Sequence, residues 1–449
     1  MNISGSEQTI LAKYKNDLQK ASKLLTWNRR LLSLLGLWPE SPMDLLFCAS
    51  AIYYVFYLGL TFVSFVLYLK KKILNVSIFI ALLSYSHISA RLLLLRRHNR
   101  TFGVLFAEMK QDFELRNYKS DQELRVFLKY NKLAKSMIKF LLFCSTFFAI
   151  VFYVKPLLMT YNIHRAIRKL HRNATAPFVL AQNSFYQFYK ITTVKKYAIN
   201  YVSVLPFSVL TGFINCATDC LVLTIGCHLS GRLAALSHRI RNVEFCNGSQ
   251  EFKAVIRLHQ QVLRIGDMVE NSLNTLMTCH ILTAGVIMCF ILYKTLIYLR
   301  PGKRIHLIHI VILLSLNIVR LYSHCCVGEF LMQESRVVHE AFYECKWYTM
   351  LLQDRKLIVL NLLRSQRPIR FAARGLGTFS IELFSEVQYS IYNHMCSEKY
   401  LSIFPTMIFL GTKIITRLLI SSEERYLKCM ANQTLCKALN YGSTFYETK

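Results

Sequence analysis

His306 and His309 stand in an H-x-x-H pattern, a pairing that can offer two imidazole nitrogens to a metal ion. No carboxylate lies near enough in sequence to complete such a site, so the pair reads as interfacial histidines with an apolar body and a polar tip. Cysteine is the other abundant ligand type, at 14 residues. Cys216, Cys220 and Cys227 fall around one apolar stretch and Cys325-Cys326 closes another, with no C-x-x-C and no Cys/His spacing of the structural zinc kind. The chain also lacks a G-x-S-x-G nucleophile elbow, a G-x-x-x-x-G-K-[ST] phosphate loop and an H-E-x-x-H metal pair. With no nucleophile, anion cradle or ligand set, the expectation is a protein that is not an enzyme and holds neither metal nor cofactor.

The elements that carry these residues are lipid-length helices. Apolar stretches cover residues 43–69, 73–95, 138–159, 198–220, 276–299 and 305–326. Each holds roughly 20 mostly apolar residues, enough for a helix to cover about 30 Å of hydrocarbon at 1.5 Å per residue. A soluble core helix seldom stays apolar on every face for so long. The composition agrees, with 53% hydrophobic and 13% aromatic residues and a mean hydropathy of +0.31. The fold class is therefore an all-α polytopic membrane protein with six clear spans and an atypical seventh. Residues 1–42 show no apolar core followed by a small-residue cleavage site, so the first span is expected to act as a signal anchor.

Orientation follows from Lys and Arg, which are retained on the cytoplasmic side near span ends. The formal net charge is +30, and its positive residues concentrate in residues 1–42, in the second-to-third and fourth-to-fifth connections, and after residue 326. The connection 161–196 is also basic, but the rule weakens with loop length. The balance places the N-terminus in the cytoplasm. Asn173-Ala174-Thr175 lies in the connection assigned outside and is a glycosylation candidate, whereas the sequons at Asn99 and Asn247 lie inside. A basic footprint for nucleic acid would gather on one face of a soluble domain with a reading motif. Here the charge alternates with spans, which retention and attraction to anionic membrane lipid explain; nucleic acid is not an expected partner.

Two inner connections are more than spacers. Leu124, Phe127, Leu128, Leu133 and Met137 recur at helical spacing among lysines, as do Phe252, Val255, Ile256, Val262, Leu263 and Met268. Both read as helices continuing from the spans into the cytoplasm, lying on anionic lipid or forming a bundle where subunits meet.

After the sixth span the chain reads Cys326-Val327-Gly328-Glu329-Phe330-Leu331, then Glu334-Ser335, Val338, Ala341, Tyr343 and Trp347-Tyr348. It continues through Arg364-Ser365-Gln366-Arg367-Pro368 to Phe379-Ser380, Glu382 and Phe384. This closely resembles the carboxy-terminal region of insect odorant receptors, a family of seven spans and inverted topology. Leu35-Gly36-Leu37-Trp38-Pro39, Leu229-Ser230-Gly231, Leu236-Ser237-His238-Arg239 and the helix from His259 to Asn271 resemble the same family. The resemblance implies a ligand-tuning subunit of a tetrameric, odorant-gated, non-selective cation channel, assembled with the family's co-receptor in the plasma membrane of an olfactory neuron dendrite. It also implies a ligand pocket among the outer halves of the spans, a pore lined by the last helix, and subunit contacts through the cytoplasmic helices. A volatile organic odorant is small and largely apolar, so its site needs aromatic and aliphatic walls with one or two polar groups. Phe79, Phe147, Phe148, Tyr153, Tyr201, Phe207 and Tyr293 are the candidates in the outer halves of the spans.

The expected organisation is a cytoplasmic N-terminal segment (1–42), spans one to six with their loops (43–326), a cytoplasmic helical connection (327–371), an atypical last span (372–420) and a divergent tail (421–449). The last helix is expected to begin near Leu376. The resemblance holds through Phe384 and the Tyr389-Ser390-Ile391-Tyr392 stretch; then Asn393, His394, Glu398 and Lys399 intervene. The apolar run 401–420 is interrupted by Pro405, Lys413 and Arg417. A charge at mid-bilayer costs about 2.5 to 3.5 kcal/mol on insertion scales, so an altered coding end or an alternative isoform that shortens or replaces the pore helix is expected. A gustatory-type receptor would share the fold, but its closing Gln-Phe is not found after Phe384. A G-protein-coupled receptor would have its N-terminus outside and carry D/E-R-Y after the third span; Glu424-Arg425-Tyr426 sits near the C-terminus instead, and no N-P-x-x-Y exists. A secondary transporter would show inverted repeats, and none is visible.

Overall fold

The computed structural model describes residues 5–72, 75–170, 178–180, 193–243, 250–298, 304–350, 352–373 and 377–397. In chain order they form α1 (Gly5–Leu34), α2 (Asp44–Lys70), α3 (Val76–Arg97), α4 (Asn99–Gln111), α5 (Asp121–Leu170), α6 (Val194–Arg241), α7 (Gln250–Tyr298), α8 (Arg304–Glu344) and α9 (Leu352–Ser365). A minimal hairpin of β1 (Ala372–Ala373) and β2 (Gly377–Thr378) then leads into α10 (Ile381–Ser397). Six helices, α2, α3, α5, α6, α7 and α8, are long and apolar enough to cross a membrane, and they contain the six apolar stretches of the sequence.

Length divides the molecule into two levels. Helices α5, α6 and α7 run 50, 48 and 49 residues, and at 1.5 Å per residue each is more than about 70 Å long. Hydrocarbon accommodates only about 30 Å of that. The remainder of each helix continues beyond the bilayer on the side that the charge bias assigns to the cytoplasm, and α1, α4 and α9 pack there. The amphipathic runs read from the sequence are these extensions. Leu124, Phe127 and Leu128 on α5 and Phe252, Val255, Ile256 and Val262 on α7 are all buried, so these faces pack into the chain's own core rather than onto lipid.

Helix α6 is the centre of both levels. From Ala217 to Ala234 every residue is buried, the mark of a helix surrounded on all sides, and α1, α2, α3, α5, α7 and α8 all contact it. Such crowding requires small residues where neighbours cross. A Cβ on Gly226 would collide with Val327 on α8 and lie 2.9 Å from the Phe371 ring, and one on Gly231 would lie 3.2 Å from the Phe127 carbonyl oxygen on α5. Polar ties fix the register: Asn28 Nδ2 on α1 donates to Thr224 Oγ1 at 2.8 Å. Asp112, just after α4, meets His228 Nε2 at 2.9 Å and Arg232 Nη1 at 3.2 Å.

The family-like residues after the sixth span have clear structural duties. Gly328 lets α8 approach the backbone of Phe379, a position that a Cβ would occupy. Glu329 accepts from the Ile381 amide at 3.3 Å at the start of α10, and Ser335 Oγ accepts from the Ile369 amide at 3.0 Å. Cys326 and Ala341 are buried, Pro368 is half-buried, and Phe384 meets Tyr322 with ring centroids 5.3 Å apart. Tyr343, Trp347 and Tyr348 are exposed. The last helix starts at Ile381 rather than near Leu376. Residues 377–378 pair with 372–373, and Ser380 caps the helix by accepting the Leu383 amide on Oγ at 3.1 Å. The expected features at Asn173, in the apolar run 401–420 and at Glu424-Arg425-Tyr426, and the side chains of His306 and His309, lie outside the described residues.

Substituting Gly226→Ala should overpack the α6–α8 crossing and cost about 1–3 kcal/mol. Thermal unfolding of the detergent-solubilised protein should show a lower midpoint than wild type. Gly285→Ala, where nothing lies within 4 Å of the added Cβ, should show no loss; equal behaviour of the two variants would contradict the packing described.

Candidate ligand-binding site

Two prolines shape the outer half of the bundle. Pro156 lies inside α5 and Pro206 inside α6. A helical proline lacks an N–H and crowds the preceding turn, which leaves carbonyl groups there in need of other donors. In both helices the carbonyl three residues before the proline is taken by tyrosine hydroxyls. Ser203 O accepts from Tyr53 at 3.2 Å and Tyr57 at 3.1 Å, both on α2. Tyr153 O accepts from the Tyr201 hydroxyl, and Tyr153 donates in return to Tyr201 O at 2.9 Å.

The rings of these tyrosines build an aromatic column along α6. Tyr153 and Tyr201 have centroids 4.6 Å apart, and Tyr197 lies 5.5 Å from Tyr201. Deeper in the bundle, Phe207 packs against Tyr54 at 5.0 Å, Tyr57 at 4.8 Å and Tyr85 at 4.9 Å, the last edge-on. Phe207 and Tyr54 are wholly buried. The column thus combines packed aromatic rings with a few hydroxyls, the chemistry suited to a small, mostly apolar molecule.

Of the sequence candidates, Tyr153, Tyr201 and Phe207 are brought together in this column. Phe79 sits apart, 4.8 Å from Phe290 in a smaller cluster with Ile80, Ile287, Ile291 and Ile310. Phe148 packs on Phe152 of its own helix, and Tyr293 is half-buried. Phe147 is 50% exposed on α5 and does not join the column. Tyr54, Tyr57, Tyr85 and Tyr197 were not among the candidates; Tyr54 and Tyr57 lie on α2 and Tyr85 on α3, and their meeting with Phe207 of α6 arises only when these helices pack.

Below the column lies a cluster that counting apolar residues passes over. Asp219 of α6 receives Arg91 Nη1 of α3 at 3.0 Å and Arg320 Nε of α8 at 2.8 Å. Asn215 Oδ1 accepts from the same two guanidiniums at 3.2 and 2.9 Å. Arg91 also donates to His87 Nε2 and His280 Nδ1, each at 2.8 Å, and His324 Nε2 lies 3.6 Å from Asp219 Oδ1. Arg91 is 1% exposed and Asp219 4%. Phe207 and Asp219 are twelve residues apart on α6, about 18 Å along the axis, so the ionic level lies toward the inner face. Ionisable residues inside apolar spans are costly and mark structural or functional centres; that signal was present in the sequence at Arg91, Asp219 and Arg320.

A helical bundle with six lipid-length helices, an aromatic-rich outer half and long inner extensions defines an all-α polytopic membrane protein. The 7tm Odorant receptor family model matches residues 73–392, and the chain belongs to that family. Odorant receptor 2a of Drosophila melanogaster is 23% identical over 203 residues, covering 41% of this chain and 51% of that protein. The odorant receptor coreceptor of the same species is 21% identical over 132 residues, 29% of this chain and 27% of that one. The chain spans about half the length of the curated relatives it matches. In fold it is similar to the insect olfactory receptor OR5 from Machilis hrabei, with a TM-score of 0.67 at 13% identity over 85% of this chain and 98% of that one. The similarity extends to the same receptor in complex with eugenol, with a TM-score of 0.64 at 13% identity, covering 88% and 99% of the two chains.

Asp219→Ala leaves the buried Arg91 guanidinium and the partly buried Arg320 guanidinium without their carboxylate, and breaking a buried pair in this way costs about 3–5 kcal/mol. The variant should lose most of its monodisperse peak in size-exclusion chromatography and most of its surface expression. Wild-type yield on both counts would show that the cluster does not hold the helices together.

Proposed function

We propose that this chain is the odorant-binding, ligand-tuning subunit of a heteromeric, odorant-gated, non-selective cation channel. Its partner would be the family co-receptor and its location the plasma membrane of an olfactory neuron dendrite. The observation that carries the reading is the family match across residues 73–392; the aromatic column, in a fold similar to that of a receptor solved with eugenol, supports it. The ligand would be a volatile, largely apolar molecule held in the outer half of the bundle. Phe207, Tyr201 and Tyr153 would be wall residues, and Phe79, Phe148 and Tyr293 would border neighbouring space. In this reading residues 1–42 and 327–371 are cytoplasmic, 43–326 carry the spans, 372–420 supply the last span, and Asn173 carries glycan on the outer face.

Whole-cell current in cells expressing the chain with the co-receptor, challenged with a broad odorant panel, tests the reading. A parallel version has the residues after Val387 replaced by a family-typical last helix. Odorant-evoked cation current from either version is expected; current from the replaced version alone would place the conduction defect in the native C-terminal segment. At matched surface level, Phe207→Ala should raise the half-maximal concentration of an active odorant about tenfold or more, since losing one aromatic wall weakens binding by about 1.4 kcal/mol or more. The exposed Phe147→Ala should leave that concentration unchanged. Silence from both versions with surface expression confirmed would overturn the channel assignment.

A further inference from the structure

The ionic cluster is unbalanced in charge. Arg91 and Arg320 are two cations, and Asp219 is the one carboxylate paired with them among the described residues. Both oxygens of Asp219 and the amide oxygen of Asn215 are already shared by the guanidiniums. In an apolar bundle an uncompensated cation carries a heavy desolvation cost.

The histidines add a second imbalance. A guanidinium donates and has no lone pair to offer. The nitrogens that receive Arg91, His87 Nε2 and His280 Nδ1, are therefore the unprotonated ones. Each ring must carry its proton on the other nitrogen, and His87 Nδ1 and His280 Nε2 are buried with no acceptor. Both ring nitrogens of His324 are likewise buried without a hydrogen-bond partner. His280 is 5% exposed and His324 1% exposed. The three rings lie in a row, His87 to His280 at 5.6 Å and His280 to His324 at 4.8 Å between centroids. The cluster thus has surplus N–H donors together with one surplus positive charge, and buried donors left unmade are costly.

We propose that this cluster, built from α3, α6, α7 and α8, is a binding site for a small monovalent anion of the halide class. Such an ion accepts several N–H groups at once and cancels the extra charge. A water molecule would satisfy donors but leave the charge. The site lies below the aromatic column and is separate from it, so its occupant is a structural anion bound among helices rather than the odorant.

The purified full-length chain in lipid nanodiscs is unfolded thermally in sodium gluconate and in sodium chloride or bromide at matched ionic strength. The midpoint should be higher in the halides and should rise with the logarithm of halide concentration, as for any ligand bound by the native state alone. Arg320→Gln removes the surplus cation and should abolish the halide dependence. Where that variant yields no folded protein, His324→Leu, which removes ring nitrogens that hold no hydrogen bond, should reduce it. A wild-type midpoint identical in gluconate and halide would overturn the proposal in favour of water alone, and an undiminished halide shift in the folded variant would place the anion elsewhere.

Discussion

The carboxylate of Asp219, shared by guanidiniums from two other helices, is the constraint on which the membrane-embedded bundle depends. Arg91 and Asp219 are almost wholly enclosed by protein here, and an apolar surrounding offers no substitute partner for a separated charge. Moving α3 or α8 away from α6 by a few ångströms would strand Arg91 or Arg320. The register of three helices is therefore fixed at one level. The continuous burial of α6 from Ala217 to Ala234 begins at that level and runs inward. Below it, ties such as Asn28 to Thr224 and Asp112 to His228 and Arg232 continue the same register into the extensions.

Above that level the bundle is held differently. Contacts there are mainly aromatic faces and edges, and two helices contain prolines whose freed carbonyls are satisfied by tyrosines from neighbouring helices. Hydroxyl-to-carbonyl bonds and ring contacts cost less to rearrange than a buried ion pair. A ligand shifts a protein between states only through different affinities for them. In the proposed receptor, an odorant seated against Tyr57 or Tyr201 would act on the same side chains that satisfy the proline turns of α6 and α5, and one seated against Phe207 would act on them through its packing on Tyr57. The inner clamp gives that movement a fixed base, and α8 links it directly to the family-like segment around Gly328 and Glu329 that seats α10.

The spans were legible because about twenty consecutive apolar residues leave few alternatives, and the inner helical extensions because Phe127, Leu128, Val255 and Val262 repeat at helical spacing. The run from Cys326 to Phe384 identified the family before any contact was known, and Gly328, Glu329 and Ser335 prove to be its structural pins. What sequence alone did not reveal depends on which helix meets which. Arg91, Asp219 and Arg320 lie in three different apolar stretches, and their mutual neutralisation exists only after packing. Phe147 and Phe148 are adjacent in sequence, yet one is half exposed and the other packs on Phe152, because a helix turns about 100° per residue. The start of α10 shifted because a two-residue hairpin and the Ser380 cap outweighed the apolar pattern.

The most direct test of this account is an electron cryomicroscopy structure of the chain assembled with the proposed co-receptor and an activating odorant. Ligand density against Phe207, Tyr201 and Tyr57 in the outer half, with the Asp219 pairs intact beneath it, is the predicted result. Density seated at the inner ionic level or among the cytoplasmic helices, with the aromatic column undisturbed, would contradict it.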